Sequence, residues 1–320
     1  MPISTRPIFG QQNNEESQVN VQTQNNNKPR IEFELSEPFY SMDELVLPIL
    51  TKSELQRAIA LRHFQKEVFE DWGFSNTHKY DNKMIINLYG EPGTGKTMAA
   101  HAIAKSLNKK IILINYGDIE SKFVGETPKN IKSAFDFAKA NDAILFFDEA
   151  DAILSRRVTN MTSATDTSVN QTRSVMLTLL NDYNDTVIFA TNFISNYDPA
   201  FMRRILMHIE FVLPDESIRK HLFERYIPNQ LPHNFELNQL VDVSNGLSGS
   251  DISNAILLAA FAAKTDGRIA VSHDDLLSKI NSIKKSKDEN AMKKQGRTEV
   301  TQRIVTEDYV KSQLESGADA

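Results

Sequence analysis

The octapeptide Gly90-Glu91-Pro92-Gly93-Thr94-Gly95-Lys96-Thr97 constrains this chain more than any other stretch. Its spacing is G-x-x-x-x-G-K-[ST], a pattern that gains meaning only from its flanks. Before it, Met84-Ile85-Ile86-Asn87-Leu88-Tyr89 reads as a buried strand. After it, the alanine-rich run Met98–Lys105 reads as a helix. Strand, glycine-rich loop and helix form a phosphate cradle. The glycines let backbone N–H groups converge on phosphate oxygens, and the helix N-terminus adds partial positive charge. Gly90 through Met98 are thus candidate nucleotide contacts, with Lys96 reaching the β- and γ-phosphates and the Thr97 hydroxyl ligating Mg²⁺.

The rest of the chain supplies a sheet for this loop. Ile111–Tyr116, Ala143–Phe147, Val187–Thr191 and Ile209–Leu213 read as further strands. Between them lie a helix opened by Thr127 as N-cap and Pro128 at its first position, with Ile131, Ala134, Phe135 and Ala138 on one face, and another carrying Met176, Leu179, Leu180 and Tyr183. A helix from about Ser53 to Phe69 precedes the first strand, and Val158–Thr172, rich in Ser, Thr and Asn, reads as a loop. Alternating strands and helices predict an α/β fold, a parallel sheet sandwiched by helices. After Pro214 the pattern is helical only. Ser250 is the expected N-cap of a helix through Ala263, further helices are expected over Asp274–Ile283 and Thr306–Leu314, and the mixed-charge run Lys284–Lys294 reads as a solvated face or linker. The expected organisation is a tail over 1–30, an α/β core over 31–213 that opens with a short strand near Ile31–Leu35, a helical lid over 214–290, and a C-terminal extension over 291–320 with a terminal helix.

Composition bounds the function. Eleven of the seventeen residues from Gln11 to Asn27 are Gln or Asn, so the tail has almost nothing to bury. A net charge of −6 argues against a whole-surface binder of nucleic acid or anionic membrane. The 320 residues contain no cysteine, which excludes disulfides and thiol chemistry. Neither a run long enough for a membrane span nor the apolar stretch of a signal peptide is seen, so a cytoplasmic location is expected.

Two acidic residues follow the third strand at the carboxyl edge, where open parallel sheets bind ligands. Asp148 is placed to hold Mg²⁺, and Glu149 to take a proton from an attacking water. A solvated pair at a strand end is the ordinary alternative, but a phosphate loop on the same sheet needs an acidic partner for its metal. Asn192, ending the fourth strand, can bond the γ-phosphate or orient the water; on its own it would be read as a strand cap. Arg203 and Arg204 follow Asp198-Pro199-Ala200-Phe201-Met202. An arginine suits the charge that spreads over phosphoryl oxygens in the transition state, whereas by composition alone both arginines read equally well as surface ion pairs. Asp148-Glu149-Ala150-Asp151 and Ser163-Ala164-Thr165 also spell helicase motifs. That reading needs a second parallel-sheet domain, and the residues after Leu213 show no strand pattern.

Taken together, these segments resemble the AAA family of the AAA+ ATPases over roughly residues 40–290. Gly90–Thr97 is similar to its Walker A motif, Ile144–Glu149 to Walker B, Ala190-Thr191-Asn192 to sensor 1, and Asp198–Arg204 to the start of the second region of homology. Gly246-Leu247-Ser248-Gly249-Ser250-Asp251-Ile252 resembles the sensor 2 stretch, which makes Gly249 and Ser250 candidate nucleotide contacts. The resemblance implies a P-loop NTPase sheet followed by a helical lid, ATP and Mg²⁺ as cofactors, and a homo-hexamer whose active sites are completed by arginine from the next subunit. Relatives commonly carry two such arginines three residues apart. Here Met207 stands at the later position, so Arg204 is the expected finger and Arg203 the second choice. Glu91 replaces a more usual proline, a change expected to matter little. Met42–Leu47 resembles the segment whose backbone touches adenine, implicating Leu45 and Val46. Lys122-Phe123-Val124-Gly125 resembles the first pore loop, with Phe123 gripping an extended polypeptide in a central channel; a core phenylalanine is the plain alternative.

The leading expectation is an ATP-driven motor that threads or disassembles protein substrates. A nucleic-acid-acting ATPase, disfavoured by the acidic balance, and a slow nucleotide-dependent scaffold or switch are the alternatives.

Overall fold

The structure is a computed structural model that describes residues 33–78, 83–115, 126–155, 164–192 and 197–301. The tail, the pore-loop residues Lys122, Phe123, Val124 and Gly125, and the expected helix over Thr306–Leu314 lie outside the described residues.

Five parallel strands form one sheet: β1 (Met84–Gly90), β2 (Ile111–Asn115), β3 (Ile144–Asp148), β4 (Thr186–Thr191) and β5 (Met207–Phe211), in the order β2-β3-β4-β1-β5. The chain leaves β1 for the far edge, returns through β3 and β4, and crosses β1 to reach β5. This reversal beside β1 is where open α/β sheets form a ligand crevice. Strand alternation sorts the apolar residues into two layers. Ile85, Ile112, Leu145, Phe147, Val187 and Phe189 face α3 (Thr127–Ala140) and α5 (Ala164–Asp182). Ile86, Leu88, Ile144, Phe146, Ile188 and Ile209 face α1 (Ile49–His63) and α2 (Lys96–Ser106). Helices on both faces explain why the strands read as continuous apolar runs.

After β5 the described chain is helical. The helices α7 (Glu216–Tyr226), α8 (Leu237–Val243), α9 (Gly249–Thr265) and α10 (His273–Thr301) share a core built on Phe223, Leu240, Ile252, Ala259, Leu276 and Ile280. Two short helices, α4 (Asp151–Leu154) and α6 (Pro199–Met202), follow β3 and β4.

Several boundaries differ from the sequence reading. The polar stretch expected as a loop is helical from Ala164 onward, because Thr172, Arg173, Met176 and Leu180 turn inward. Burial against α3 outweighs the modest helix propensity of Ser, Thr and Asn. Of the two readings of the run Lys284–Lys294, the solvated face holds as far as residue 290: α10 passes through it unbroken and residues 285–290 are exposed. The helix expected to Phe69 ends at His63 and gives way to a π-turn over Glu67–Asp71. In place of a strand near Leu35 there is a single antiparallel bridge from Ser36 to Ile111. Strand β5 lies two residues early, its register fixed by pairing Met207 with Ile86. The caps of two helices also shift: Glu126 rather than Thr127 precedes α3, and Ser248 rather than Ser250 caps α9. Ser248 wins because Asp251 completes a capping box with it.

Candidate functional site

Gly90 ends β1 with φ 135°, and a Cβ there would lie 2.0 Å from the Phe211 carbonyl oxygen. Only glycine lets β1 turn into the loop while staying paired with β5. The loop then winds through Gly93 (φ 75°) and Gly95 (φ 103°) into α2, while the Thr94 hydroxyl closes it by donating 2.7 Å to the Glu91 carbonyl. The Glu91 side chain is exposed, so its replacement of proline leaves the turn intact.

The Lys96 ammonium lies inside this turn. It donates to the carbonyls of Gly90 (2.7 Å) and Glu91 (2.9 Å) and to Asn192 Oδ1 (3.3 Å). Burial pulls its pKa below the ordinary lysine value, opposed by the carboxylates of Asp148, Asp151 and Glu91. One residue on, the exposed Thr97 hydroxyl donates 3.0 Å to Asp148 Oδ2. A hydroxyl and a carboxylate oxygen converging at a helix N-terminus suit Mg²⁺, which takes few protein ligands and leaves the others to phosphate and water. Among the described residues no group of three or more His, Asp or Glu could hold a metal ion by itself.

The second half of the site comes from the ends of β3 and β4. Asp148 Oδ1 accepts from the Glu149 N–H at 2.9 Å, and the Ala150 N–H donates to the Ala190 carbonyl at 2.9 Å, which stitches the two strand ends together. Between these bonds Glu149 adopts φ 51°, a left-handed conformation that costs a non-glycine residue roughly 1–2 kcal/mol. The cost is borne at a residue that lines the cavity. Asp151 fixes the next element, its carboxylate accepting the Asn192 N–H at 3.2 Å and 3.3 Å. Behind Asn192, the Thr191 and Tyr197 hydroxyls bond to each other and to the Asn87 amide, and burial pushes the Tyr197 phenol up to about 12.

These groups open on a cavity of about 300 Å³ lined by Pro92, Gly93, Thr94, Gly95, Lys96, Thr97, Met98, Asp148, Glu149 and Asn192. Leu45 and Val46 form part of one wall, and Gly249 and Ser250 reach it from α9. Gly90 and Glu91 contribute carbonyls to Lys96 without lining the cavity. Arg203 and Arg204 do not line it either. Arg204 Nε donates 2.8 Å to Asn181 Oδ1 and Nη1 donates 2.8 Å to the Ala200 carbonyl, while the exposed Arg203 bonds the Pro199 carbonyl. Met207, where relatives commonly carry a second arginine, is the first residue of β5.

Sequence reasoning missed the apolar wall made by Ile218, Leu222 and Tyr226 of α7, the contribution of Val212 and Pro214 before it, and Asp151 as anchor of Asn192. The α7 residues face the cavity only because the helical part folds back over the loop. Asp151 was legible only as the fourth letter of Asp148-Glu149-Ala150-Asp151.

A glycine-rich loop between β1 and α2, an acidic pair after β3 and a polar residue after β4 define a P-loop nucleoside triphosphatase. Residues 86–213 match the family described as ATPase family associated with various cellular activities (AAA). Over 238 residues the chain is 34% identical to the proteasome-activating nucleotidase of Saccharolobus solfataricus, an alignment covering 72% of this chain and 59% of that protein. It is 32% identical to the 26S proteasome subunit RPT4 of Saccharomyces cerevisiae, over 72% of this chain and 53% of that one. The chain therefore spans less than two thirds of the length of these curated relatives. In fold it is similar to a crystal structure of the FIGL-1 AAA domain, with TM-score 0.61 and 20% identity over 78% of this chain and 85% of that one. The chain belongs to the AAA family.

Proposed function

We propose that this chain hydrolyses ATP with Mg²⁺ and uses the cycle to thread or disassemble polypeptide substrates as a homo-hexameric ring. The observation that carries the reading is the convergence of Lys96, Thr97, Asp148, Glu149 and Asn192 on one cavity at the carboxyl edge of the sheet.

The geometry supports the following division of labour. The loop amides and Lys96 hold the phosphates, and the wall of Leu45, Val46, Ile218 and Tyr226 suits a flat, mostly apolar base. Thr97 and Asp148 would hold Mg²⁺, which would neutralise negative charge on the bound phosphates. Glu149 takes the proton of the attacking water, and Asn192, held by Asp151 and Lys96, positions that water or the γ-phosphate. Arg204 serves the pocket of a neighbouring copy, which agrees with its position off its own. Polypeptide as the substrate is supported by relatives named as a proteasome-activating nucleotidase and a proteasome subunit, and by the similarity of Lys122–Gly125 to a pore loop.

The test is Glu149→Gln. The variant should bind ATP with near wild-type affinity and turn it over at least about 10²-fold more slowly; wild-type turnover would remove Glu149 as the base. Phe123→Ala should keep ATPase activity and lose substrate processing, and retained processing would sink the threading half of the reading.

A further inference from the structure

The charged stretch of α10 reaches the nucleotide loop through three contacts. Gly93, in the middle of the loop, accepts a hydrogen bond at 3.1 Å from the Ser250 N–H in the first turn of α9. A Cβ on Gly93 would come within 2.6 Å of Ser248 Oγ, so loop and helix cap are in van der Waals contact. Ser248 is itself held by Asp251: both its N–H and its hydroxyl donate to Asp251 Oδ2 at 2.8 Å. The same Oδ2 accepts Lys287 Nζ at 2.7 Å. Lys287 also donates 3.3 Å to the Gly246 carbonyl, in the turn that leads into α9, and Lys284 donates 3.1 Å to the Val243 carbonyl at the end of α8. Burial of Asp251 favours its neutral form, yet the bonds from Lys287 and Ser248 outweigh burial and hold the carboxyl below its ordinary range.

We propose that Lys287 is a positioning residue for the nucleotide site: from α10 it holds the Asp251 carboxylate, and through Ser248 it keeps the first turn of α9 bonded to Gly93. This rests on the nucleotide reading of the loop. The geometry makes the inference specific. Three donors share one carboxylate oxygen, and the cation is the only one of them that comes from another helix. Removing the ammonium leaves Asp251 to be solvated from the Lys287 side, and the cap that touches Gly93 loses its external brace. The loop amides then meet phosphate less well organised, so affinity falls while the chemical step, set by Glu149 and Asn192, is left alone. A cation in the middle of a helix that extends past residue 290 thus adjusts the affinity of a pocket that abuts the first turn of α9.

The full chain and its Lys287→Ala, Lys287→Arg and Lys96→Ala variants are titrated with ADP at low and high salt, with thermal midpoints and ATP turnover measured on the same samples. Lys287→Ala should raise the ADP Kd and the ATP KM about two- to fivefold with kcat unchanged, the range of an exposed but well-formed ion pair. Lys287→Arg should restore both, and high salt should bring wild type toward Lys287→Ala. A thermal midpoint that drops with Kd unmoved reveals a merely structural lysine and overturns the inference. An arginine that fails to rescue does the same. If Lys96→Ala weakens ADP binding by about tenfold or more while Lys287→Ala binds like wild type, only the inference falls; if Lys96→Ala also binds like wild type, the nucleotide reading falls with it.

Discussion

Lys96 Nζ lies 3.3 Å from Asn192 Oδ1, so the phosphate loop and the end of β4 are joined by a side-chain hydrogen bond across 96 residues of sequence. The contact exists because β1 and β4 are paired neighbours, with Tyr89 opposite Thr191, which brings both strand ends to one edge. Lys96 is buried and its other bonds go to loop carbonyls. It therefore serves the loop as well as the ligand.

The two residues should separate binding from chemistry. Lys96→Ala removes a charge-assisted partner of the phosphates and should weaken ATP binding by about 10- to 100-fold. Asn192→Ala should leave the Kd within about threefold and lower kcat by about 10- to 100-fold, the scale of a lost positioning or transition-state contact. Equilibrium titration alongside steady-state turnover checks both, and an Asn192→Ala effect confined to KM contradicts the role given to that side chain.

Gly90 and Gly93 differ in what they protect. A methyl group on Gly90 meets the Phe211 backbone at 2.0 Å, and neither strand can yield without breaking the β1–β5 ladder. Gly90→Ala should therefore cost about 3 kcal/mol or more and deplete the folded protein. A methyl group on Gly93 meets Ser248 Oγ, the end of a side chain that can rotate. Gly93→Ala should stay folded, lose about 1–2 kcal/mol to its left-handed backbone, and bind nucleotide poorly because the α9 cap is pushed off the loop. Chemical denaturation and ADP titration of the two variants should thus give opposite rankings of stability loss and affinity loss.

How much of this was visible in the residues depends on where each signal is encoded. The loop, the acidic pair and Asn192 lie at the ends of apolar runs too long and too regular to be anything but buried strands, so their convergence followed from topology. The helix over Ala164–Thr172 did not, since its inward face carries Thr172 and Arg173, polar residues buried only through tertiary contacts. Nor did α10 past Ile283: Lys, Glu and Asp favour a helix and a solvated linker alike, and what decides is the bonding of Lys284 and Lys287 to α8 and the turn before α9. The cavity wall of Ile218, Leu222 and Tyr226 has an unremarkable amphipathic sequence, and only the fold-back over the loop gives it a task.

Acid should loosen the segment that carries Leu45. Burial holds the His101 imidazole below its ordinary value, and its Nδ1 accepts the Phe39 N–H while its ring contacts those of Phe39 and Tyr40. His208, in β5 opposite Asn87 of β1, is lowered for the same reason. A folded-state histidine that resists protonation means that the unfolded chain binds more protons as pH falls through about 6.5, so stability is full above that value and declines below it. Thermal midpoints should fall between pH 7.5 and 5.5, by roughly 2–4 °C for each kcal/mol lost in a chain of this size. His101→Gln should flatten part of that decline, and an unchanged slope would leave the imidazole without a share in it.

Arg204 decides whether one chain can complete a site alone. Its guanidinium is aimed by Asn181 and Ala200 and does not line its own cavity, whereas Glu149 does. If neighbours in a ring share sites, Glu149→Gln and Arg204→Ala damage opposite sides of each interface. Alone, Glu149→Gln should lose at least about 10²-fold in turnover, and Arg204→Ala at least about 10³-fold, the scale of an arginine acting on the transferred phosphoryl group. Mixed one to one and allowed to exchange, a random head-to-tail ring has the intact Glu149 of one chain facing the intact Arg204 of the next at about a quarter of its interfaces. Turnover should then recover to about a quarter of wild type, with a steep dependence on total protein concentration. A mixture that co-assembles by native mass spectrometry yet stays as inactive as its components would show that Arg204 acts within its own chain or not at all, and the slow switch would become the better account of this protein.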